Sequence, residues 1–172
     1  MSKELMEKIR TKKARIAVLG LGHVGLPIAA IFADAGYSVT GTDVKKEVVD
    51  AISSSKLDTK EPGLQEMIER VIRVGKLKAI ADTVLATKHS DVILICVQTP
   101  LTQRGKPNLR YLENASKDVA RGLAKRKLII IVSTVPPGTT KNSAASILEK
   151  GSGLKCGVDF WLAYSPERIL PG

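Results

Sequence analysis

Three glycines near the N-terminus have the spacing of a phosphate-binding turn. Gly20, Gly22 and Gly25 form the pattern G-x-G-x-x-G, directly after the apolar run Ile16–Leu19. In strand–turn–helix units, the first glycine permits a tight turn, the second lets the backbone approach a pyrophosphate, and the third lets the helix pack closely. Free N–H groups at the helix start would face the phosphates. The residues that we predict to bind a dinucleotide here are Gly20, Leu21, Gly22, His23, Val24 and Gly25.

An acid lies where the ribose-binding carboxylate of such units is found. Asp43 ends a second strand-like run, 18 residues after Gly25. A carboxylate there accepts hydrogen bonds from the adenosine ribose and repels a 2′-phosphate, which favours NAD over NADP. Lys45 and Lys46 weaken this preference, because a nearby cation tolerates a phosphate. The alternative is a glycine-rich turn followed by a solvated aspartate.

The elements that position these residues alternate between strand and helix patterns. An amphipathic lead-in helix is expected in residues 1–14, followed by one domain over residues 15–172. The predicted strands are Ile16–Leu19, Ser38–Thr42, Leu77–Ile80, Val92–Val97, Leu128–Val132 and Phe160–Ala163. The predicted helices are 24–35, 45–53, 64–74, 82–89, 108–125 and a last one that follows the turn at residues 133–138 and runs to about residue 150. This order predicts an α/β fold of the Rossmann type, with a doubly wound parallel sheet of order 3-2-1-4-5-6 between two helical layers.

Polar motifs follow several of these strands, where ligands bind to such sheets. Thr99 follows strand four, Thr134 follows strand five, and Glu167 follows strand six. We therefore expect these side chains to lie on the same edge as the glycine turn. The alternatives are a strand-ending hydroxyl for Thr99, a turn residue for Thr134, and an ion pair with Arg168 for Glu167.

Composition excludes several classes of protein. The 172 residues, with 44% hydrophobic and 26% charged residues, suit one globular domain. No apolar run approaches the roughly 20 residues that span a bilayer, so no membrane partner is expected. Cys96 and Cys156 form neither a disulfide framework nor a metal site, and the N-terminus lacks a secretory signal, which favours the cytoplasm. The net charge of +10 suggests nucleic acid, but aromatics are only 3% and no recognition motif is present, so no specific nucleic-acid partner is expected.

The ordered motifs resemble a known family. They are Gly20–Pro27 (GLGHVGLP), Glu61–Leu64 (EPGL), Val97–Pro100 (VQTP), Ser133–Thr139 (STVPPGT) and Tyr164–Gly172 (YSPERILPG). In this order they resemble the NAD-binding domain of the UDP-glucose/GDP-mannose dehydrogenase family. The last motif is most similar to the branch that oxidises UDP-N-acetylhexosamines such as UDP-N-acetyl-D-mannosamine.

The resemblance implies a four-electron oxidation of a UDP-sugar C6 alcohol to an acid, with two NAD reduced and a cysteine outside this chain holding the aldehyde as a thiohemiacetal. It implies that Thr99 and Thr134 lie near the nicotinamide end of NAD, and that Thr134 has a catalytic role there, holding a water or a substrate oxygen. It implies that Glu167 orients water or acts as a base, and that Arg168 and Ile169 contact the sugar nucleotide. It also implies that the chain is a fragment that binds NAD without turnover, with catalytic and sugar-nucleotide domains beyond Gly172, and that the full-length protein is a homodimer.

Two other functions remain open from the sequence. One is the cofactor domain of a different two-domain NAD dehydrogenase, of the 3-hydroxyacyl-CoA or 6-phosphogluconate type. The other is a module without chemistry, which senses NAD or binds nucleic acid through its basic residues.

Overall fold

The computed structural model describes residues 1–54 and 62–167. A six-stranded parallel sheet forms its centre, in the order β3-β2-β1-β4-β5-β6. The strands are β1 (Arg15–Leu19), β2 (Ser38–Thr42), β3 (Leu77–Ile80), β4 (Val92–Ile95), β5 (Leu128–Ile131) and β6 (Trp161–Tyr164). The predicted Rossmann-type fold and strand order are confirmed.

Helices cover both faces of the sheet. They are α1 (Lys3–Arg10), α2 (Gly25–Asp34), α3 (Lys46–Ser53), α4 (Leu64–Arg73), α5 (Thr83–Lys88), α6 (Arg110–Gly122) and α7 (Ala145–Ser152), with a π-helix over Thr139–Ala144 leading into α7. Asp82 caps α5, because its Oδ1 accepts a hydrogen bond of 2.8 Å from the Leu85 N–H. None of the helices in the described ranges is long and apolar enough to cross a bilayer.

The core has two halves because alternate residues of each central strand point to opposite faces. Ile16 and Val18 of β1 pack with α1, α2 and α4 in one cluster, whereas Ala17 and Leu19 pack with α6 and α7 in the other. All four residues of β4 are buried, as expected for a central parallel strand.

Helix α1 lies across the edge at which the strands begin. Its Leu5 is only 3% exposed and belongs to the first core cluster. The Lys8 Nζ donates a 3.0 Å hydrogen bond to Asp91, and the Tyr37 hydroxyl donates one of 2.8 Å to the Ile9 carbonyl. The lead-in helix is therefore packed into the domain rather than appended to it.

The structure corrects several predicted boundaries. Strand four ends at Ile95, two residues before the predicted end, where the following Cys96 packs against Gly20 and Gly25 of the glycine loop. The predicted helix 108–125 spans Arg110–Gly122, and the side chain of Asn108 accepts a hydrogen bond from the Arg110 N–H at 3.2 Å. The helix after Gly138 opens as a π-helix, which no residue pattern indicated.

Candidate cofactor site

The glycine loop connects β1 to α2 at the carboxyl edge of the sheet. Gly20 adopts a φ of +88°, a conformation that L side chains rarely adopt, and a Cβ there would lie 2.8 Å from the Cys96 carbonyl oxygen. Its N–H donates a 2.8 Å hydrogen bond to the Thr42 carbonyl. The first turn of the loop is therefore packed between the ends of β2 and β4.

Helix α2 begins in direct contact with this turn. A Cβ on Gly25 would lie 1.8 Å from the Gly20 carbonyl oxygen and 3.1 Å from the Cys96 Cβ. Glycine is required at this position because no larger side chain leaves room for the turn. The N-terminus of α2 is thereby held against the loop.

Gly22 marks the open side of the loop. A Cβ there would meet no atom within 4 Å. Within the described ranges, the N–H groups of Gly22, His23 and Val24 have no hydrogen-bond acceptor. Unpaired N–H groups at the start of a helix form an anion site, so this surface fits a diphosphate. His23 is exposed and takes part in the loop through its backbone.

Asp43 connects the glycine loop to the loop after β2. Its Oδ2 accepts a 2.8 Å hydrogen bond from the Leu21 N–H, and its Oδ1 accepts one of 2.9 Å from the Lys45 N–H. The two bonds fix the carboxylate beside the open side of the loop, where it retains further lone pairs for ribose hydroxyls.

Leu21 contributes to the loop differently from its neighbours. Its side chain is 3% exposed, and its Cδ2 would lie 2.7 Å from a Cβ on Gly41. Only the backbone of Leu21 is therefore available to a ligand, and its side chain belongs to the core.

Hydroxyl groups join the loops that follow β4, β5 and β6. The Thr99 Oγ1 donates a 2.8 Å hydrogen bond to the Thr134 carbonyl, and the Ser133 Oγ donates one of 2.6 Å to the Val97 carbonyl. The Val135 N–H donates a 3.3 Å hydrogen bond to the Tyr164 hydroxyl. Thr99 thus makes the backbone contact weighed as its alternative role, and the exposed Thr134 side chain lies on the same edge as the glycine loop.

Ser133 and Tyr164 were not singled out from the sequence. Ser133 stands in the Ser-Thr-Val-Pro-Pro-Gly segment, and its position at the end of an apolar strand was a usable signal. Tyr164 ends β6 and is 42% exposed, but nothing in the sequence indicates which loop its hydroxyl contacts.

Glu167 stands on the same edge of the sheet as the glycine loop, because its N–H donates a 3.3 Å hydrogen bond to the Val132 carbonyl at the end of β5. Burial raises the pKa of the Cys96 thiol to about 12, and the negative charge of Glu167 adds to this shift. Cys96 itself packs against both Gly20 and Gly25. The thiol stays protonated near neutral pH, which agrees with a structural role and not with a nucleophile. Arg168 and Ile169 lie outside the described residues, as does Glu61.

A doubly wound parallel sheet, an open glycine loop and an acid at the end of β2 define a dinucleotide-binding domain of the Rossmann class. Residues 14–172 match the family model for the NAD-binding domain of the UDP-glucose/GDP-mannose dehydrogenase family, and the chain belongs to this family. Its cofactor is NAD. This assignment rules out the other two-domain dehydrogenases that the sequence left open.

Relatives with different substrates in their names match the chain. It is 48% identical over 158 residues to a UDP-N-acetyl-D-mannosamine dehydrogenase of Pyrococcus horikoshii, covering 92% of this chain and 37% of the relative. It is 38% identical to a GDP-mannose 6-dehydrogenase of Pseudomonas savastanoi pv. phaseolicola, and the match covers 90% of this chain and 36% of the relative. The structure of a ternary complex of GDP-mannose dehydrogenase from Pseudomonas aeruginosa superposes with a TM-score of 0.87 at 33% identity. The superposition covers 91% of this chain and 36% of that structure's chain. The chain therefore spans little more than a third of the length of these relatives.

Proposed function

We propose that this chain is the cofactor-binding part of an NAD-dependent UDP-sugar 6-dehydrogenase. The substrate would be UDP-N-acetyl-D-mannosamine or a related UDP-N-acetylhexosamine, whose C6 alcohol is oxidised to the acid with two NAD. Support for the substrate comes from the name of the Pyrococcus relative at 48% identity. We expect the chain alone to bind NAD without completing this reaction.

The residues of the carboxyl edge fit NAD in a consistent order. The N–H groups of residues 22–24 would hold the pyrophosphate, and the Asp43 carboxylate would accept the ribose hydroxyls. NAD, when bound, supplies the acceptor for hydride. Thr99 and Thr134 would lie beside its nicotinamide end, since they follow β4 and β5 on the same edge.

Glu167 is the proposed proton acceptor or water-orienting group. It is half-buried and follows β6, and its N–H donates a 3.3 Å hydrogen bond to the Val132 carbonyl. Arg168 and Ile169, which directly follow it, are proposed to contact the sugar nucleotide. Arginine suits a diphosphate or an N-acetyl carbonyl by its charge and planar geometry.

The position of Glu167 is the observation that carries this proposal. Its backbone is bonded to the end of β5, so the acid stands on the same edge of the sheet as the loop whose open side fits a pyrophosphate. Alcohol oxidation needs a proton acceptor near the reacting carbon, and a carboxylate on this edge can serve as one.

Calorimetric titration of the chain tests the cofactor half of the proposal. We expect binding of NAD, much weaker binding of NADP, and no tight binding of a short DNA duplex. Failure to bind NAD contradicts the proposal, and tight salt-sensitive binding of the duplex favours a nucleic-acid module instead.

Turnover by the full-length protein tests the substrate. We expect two NADH formed per UDP-N-acetyl-D-mannosamine, with slower reaction of UDP-glucose and GDP-mannose. Glu167→Gln should lower kcat by about 10²–10⁴-fold, while Glu149→Gln, a matched change on α7 away from this edge, should leave kcat unchanged. A preference for GDP-mannose would refute the proposed substrate.

We further infer a homodimer for the full-length protein and a cytoplasmic location. Sedimentation of the full-length protein tests the first, and cell fractionation tests the second. A monomer at working concentration, or recovery outside the cytoplasm, contradicts the respective inference.

A further inference from the structure

The excess positive charge of the chain is concentrated at the edge of the sheet where the strands begin, opposite the edge that holds the cofactor site. We call this side the basal face: α1 and the segments that precede the strands, comprising residues 3–15, 35–38, 74–76, 89–91, 123–127 and 153–160. It holds eleven basic and four acidic residues, so it accounts for seven of the ten excess positive charges. The described segments that follow the strands hold three basic and three acidic residues.

This distribution means that the charge does not serve to attract the cofactor. Strands of four or five residues separate the two edges by roughly 15 Å at about 3.3 Å per residue. The Debye length is about 8 Å at physiological salt, so the field of the basal face is largely screened at the glycine loop. The basal cations need another explanation.

The acids of the basal face are already paired. Glu4 contacts Arg126 at 2.9 Å, Glu7 contacts Arg10 at 2.9 Å, Asp91 contacts Lys8 at 3.0 Å, and Asp159 contacts Lys125 at 3.0 Å. The basal lysines without a carboxylate partner among the described residues are Lys3, Lys12, Lys13, Lys76, Lys127 and Lys155. Lys127 is buried and donates hydrogen bonds to backbone carbonyls. The charge of the other five lysines is therefore available to an external anion.

Backbone conformation and like-charge crowding set this face apart. Within residues 1–54 and 62–167, the non-glycine residues with positive φ are Lys12 at 58° and Arg126 at 66°, and both lie on the basal face. L residues disfavour this conformation. Burial lowers the pKa of Lys127 to about 8; Asp91 opposes this shift, and the charges of Arg15 and Lys8 add to it. Lys8 and Arg15 also contact the same carboxylate, Asp91, at 3.0 and 3.7 Å, so cations lie close together on this face.

Exposed apolar side chains lie among these cations. Met6 is 54% exposed, Val74 is 63% exposed, and Val158 is 68% exposed. They come from α1, from the segment before β3 and from the segment before β6. Basic residues interleaved with exposed apolar residues are typical of surfaces that bind the interface of an anionic bilayer.

From this charge distribution and the apolar side chains we propose that the basal face docks peripherally on an anionic phospholipid surface, which replaces the expectation from sequence that the chain has no membrane partner. The sheet edge spans six strands at about 4.8 Å each, so the segments that carry its cations extend over roughly 24 Å. The composition holds only 3% aromatics and offers no stacking platform for single strands, which disfavours a single-stranded nucleic acid as the occupant. Docking there leaves the glycine loop accessible and does not depend on the proposed reaction.

Flotation of the chain with lipid vesicles tests the proposal. We expect binding to vesicles of equal parts phosphatidylcholine and phosphatidylglycerol, weakening with salt, and no binding to pure phosphatidylcholine. The variant Lys13→Glu/Lys155→Glu should bind several-hundred-fold more weakly, since each of its four units of charge changes affinity by about five-fold. The matched variant Arg104→Glu/Lys106→Glu lowers the net charge equally on the opposite edge and should bind nearly as well as the parent chain.

Three results would overturn the proposal. The first is no binding to the anionic vesicles at about 0.15 M salt. The second is an equal loss in both charge variants, which would show that net charge alone decides binding. The third is unchanged vesicle binding by Met6→Ser/Val158→Ser together with tighter binding of a DNA duplex, which would identify a nucleic-acid surface. Circular dichroism and NAD titration of every variant keep loss of fold separate from loss of docking.

Discussion

Replacing Gly25 and Gly22 by alanine should separate the stability of the glycine loop from its function. In Gly25→Ala, the new methyl group would lie 1.8 Å from the Gly20 carbonyl oxygen, which is a backbone atom that cannot rotate away. Overpacking of this kind costs about 1–3 kcal/mol, and we expect the upper end. For a domain of this size, about 3 kcal/mol lowers Tm by roughly 6–12 °C.

Gly22→Ala is the matched change on the open side of the loop. Its methyl group would meet no atom of the protein within 4 Å, so we expect Tm to change by less than about 2 °C. The methyl group would, however, occupy the surface that fits the pyrophosphate. We expect NAD affinity to fall at least about ten-fold, equivalent to about 1.4 kcal/mol.

Thermal unfolding and calorimetric NAD titration of both variants give the answer. The reasoning is refuted if Gly25→Ala melts with the parent chain, because the close approach would then be wrong. It is equally refuted if Gly22→Ala binds NAD with unchanged affinity, because the pyrophosphate would then lie elsewhere.

Three further predictions concern single side chains. Asp43→Ala should weaken NAD binding and also destabilise the chain by about 1 kcal/mol, since the Leu21 N–H loses its acceptor; unchanged NAD affinity in calorimetry would contradict the ribose role. Although burial of Asp91 opposes ionisation, hydrogen bonds from the Arg15 N–H and Lys8 hold its pKa below the ordinary value of 3.8. The Asp91 carboxylate therefore contributes fully to stability above about pH 4, and this contribution is lost as the pH falls through its lowered pKa in the folded chain. Asp91→Asn should make the free energy of unfolding, measured by denaturant titration, depend less on pH in this acid range. An unchanged pH dependence would disprove the stabilising role of the ionised carboxylate. Cys96 should react slowly with a thiol reagent at pH 8 in the folded chain and rapidly in denaturant, because its pKa is about 12; rapid labelling of the folded chain would contradict this.

The strand order was predictable because the central strands are apolar on both faces and because strands and helices alternate regularly along the chain. The residues at which the strands end were less predictable. The run Val92–Val97 is uniformly apolar, and only the contact of Cys96 with the glycine turn explains why β4 stops at Ile95. Likewise, nothing in Thr139–Ala144 indicates i→i+5 hydrogen bonding, so the π-helix could not be anticipated.

The candidate site was predictable to a similar extent. The glycine spacing located the turn, and the close approaches at Gly20 and Gly25 follow from the absence of a Cβ. The approach of a pyrophosphate to Gly22 stays a prediction. The direction of the Leu21 side chain could not be predicted, since an apolar residue in such a loop points either to a ligand or to the core. In the structure it points to the core, where it fills the space left by the missing side chain of Gly41 on the neighbouring strand. The net charge of the sequence did not indicate where on the molecule the excess basic residues lie. Their position on the basal face does not fit a role in attracting anionic cofactors to the glycine loop.

The docking of α1 has a consequence for where this domain can be divided. The family match begins at residue 14, yet Leu5 completes the first core cluster and Lys8 contacts Asp91. A version trimmed to the family boundary would expose the surface that Leu5 covers, at a cost of about 1.5–3 kcal/mol. The smallest segment that folds well therefore extends further toward the N-terminus than the family match does.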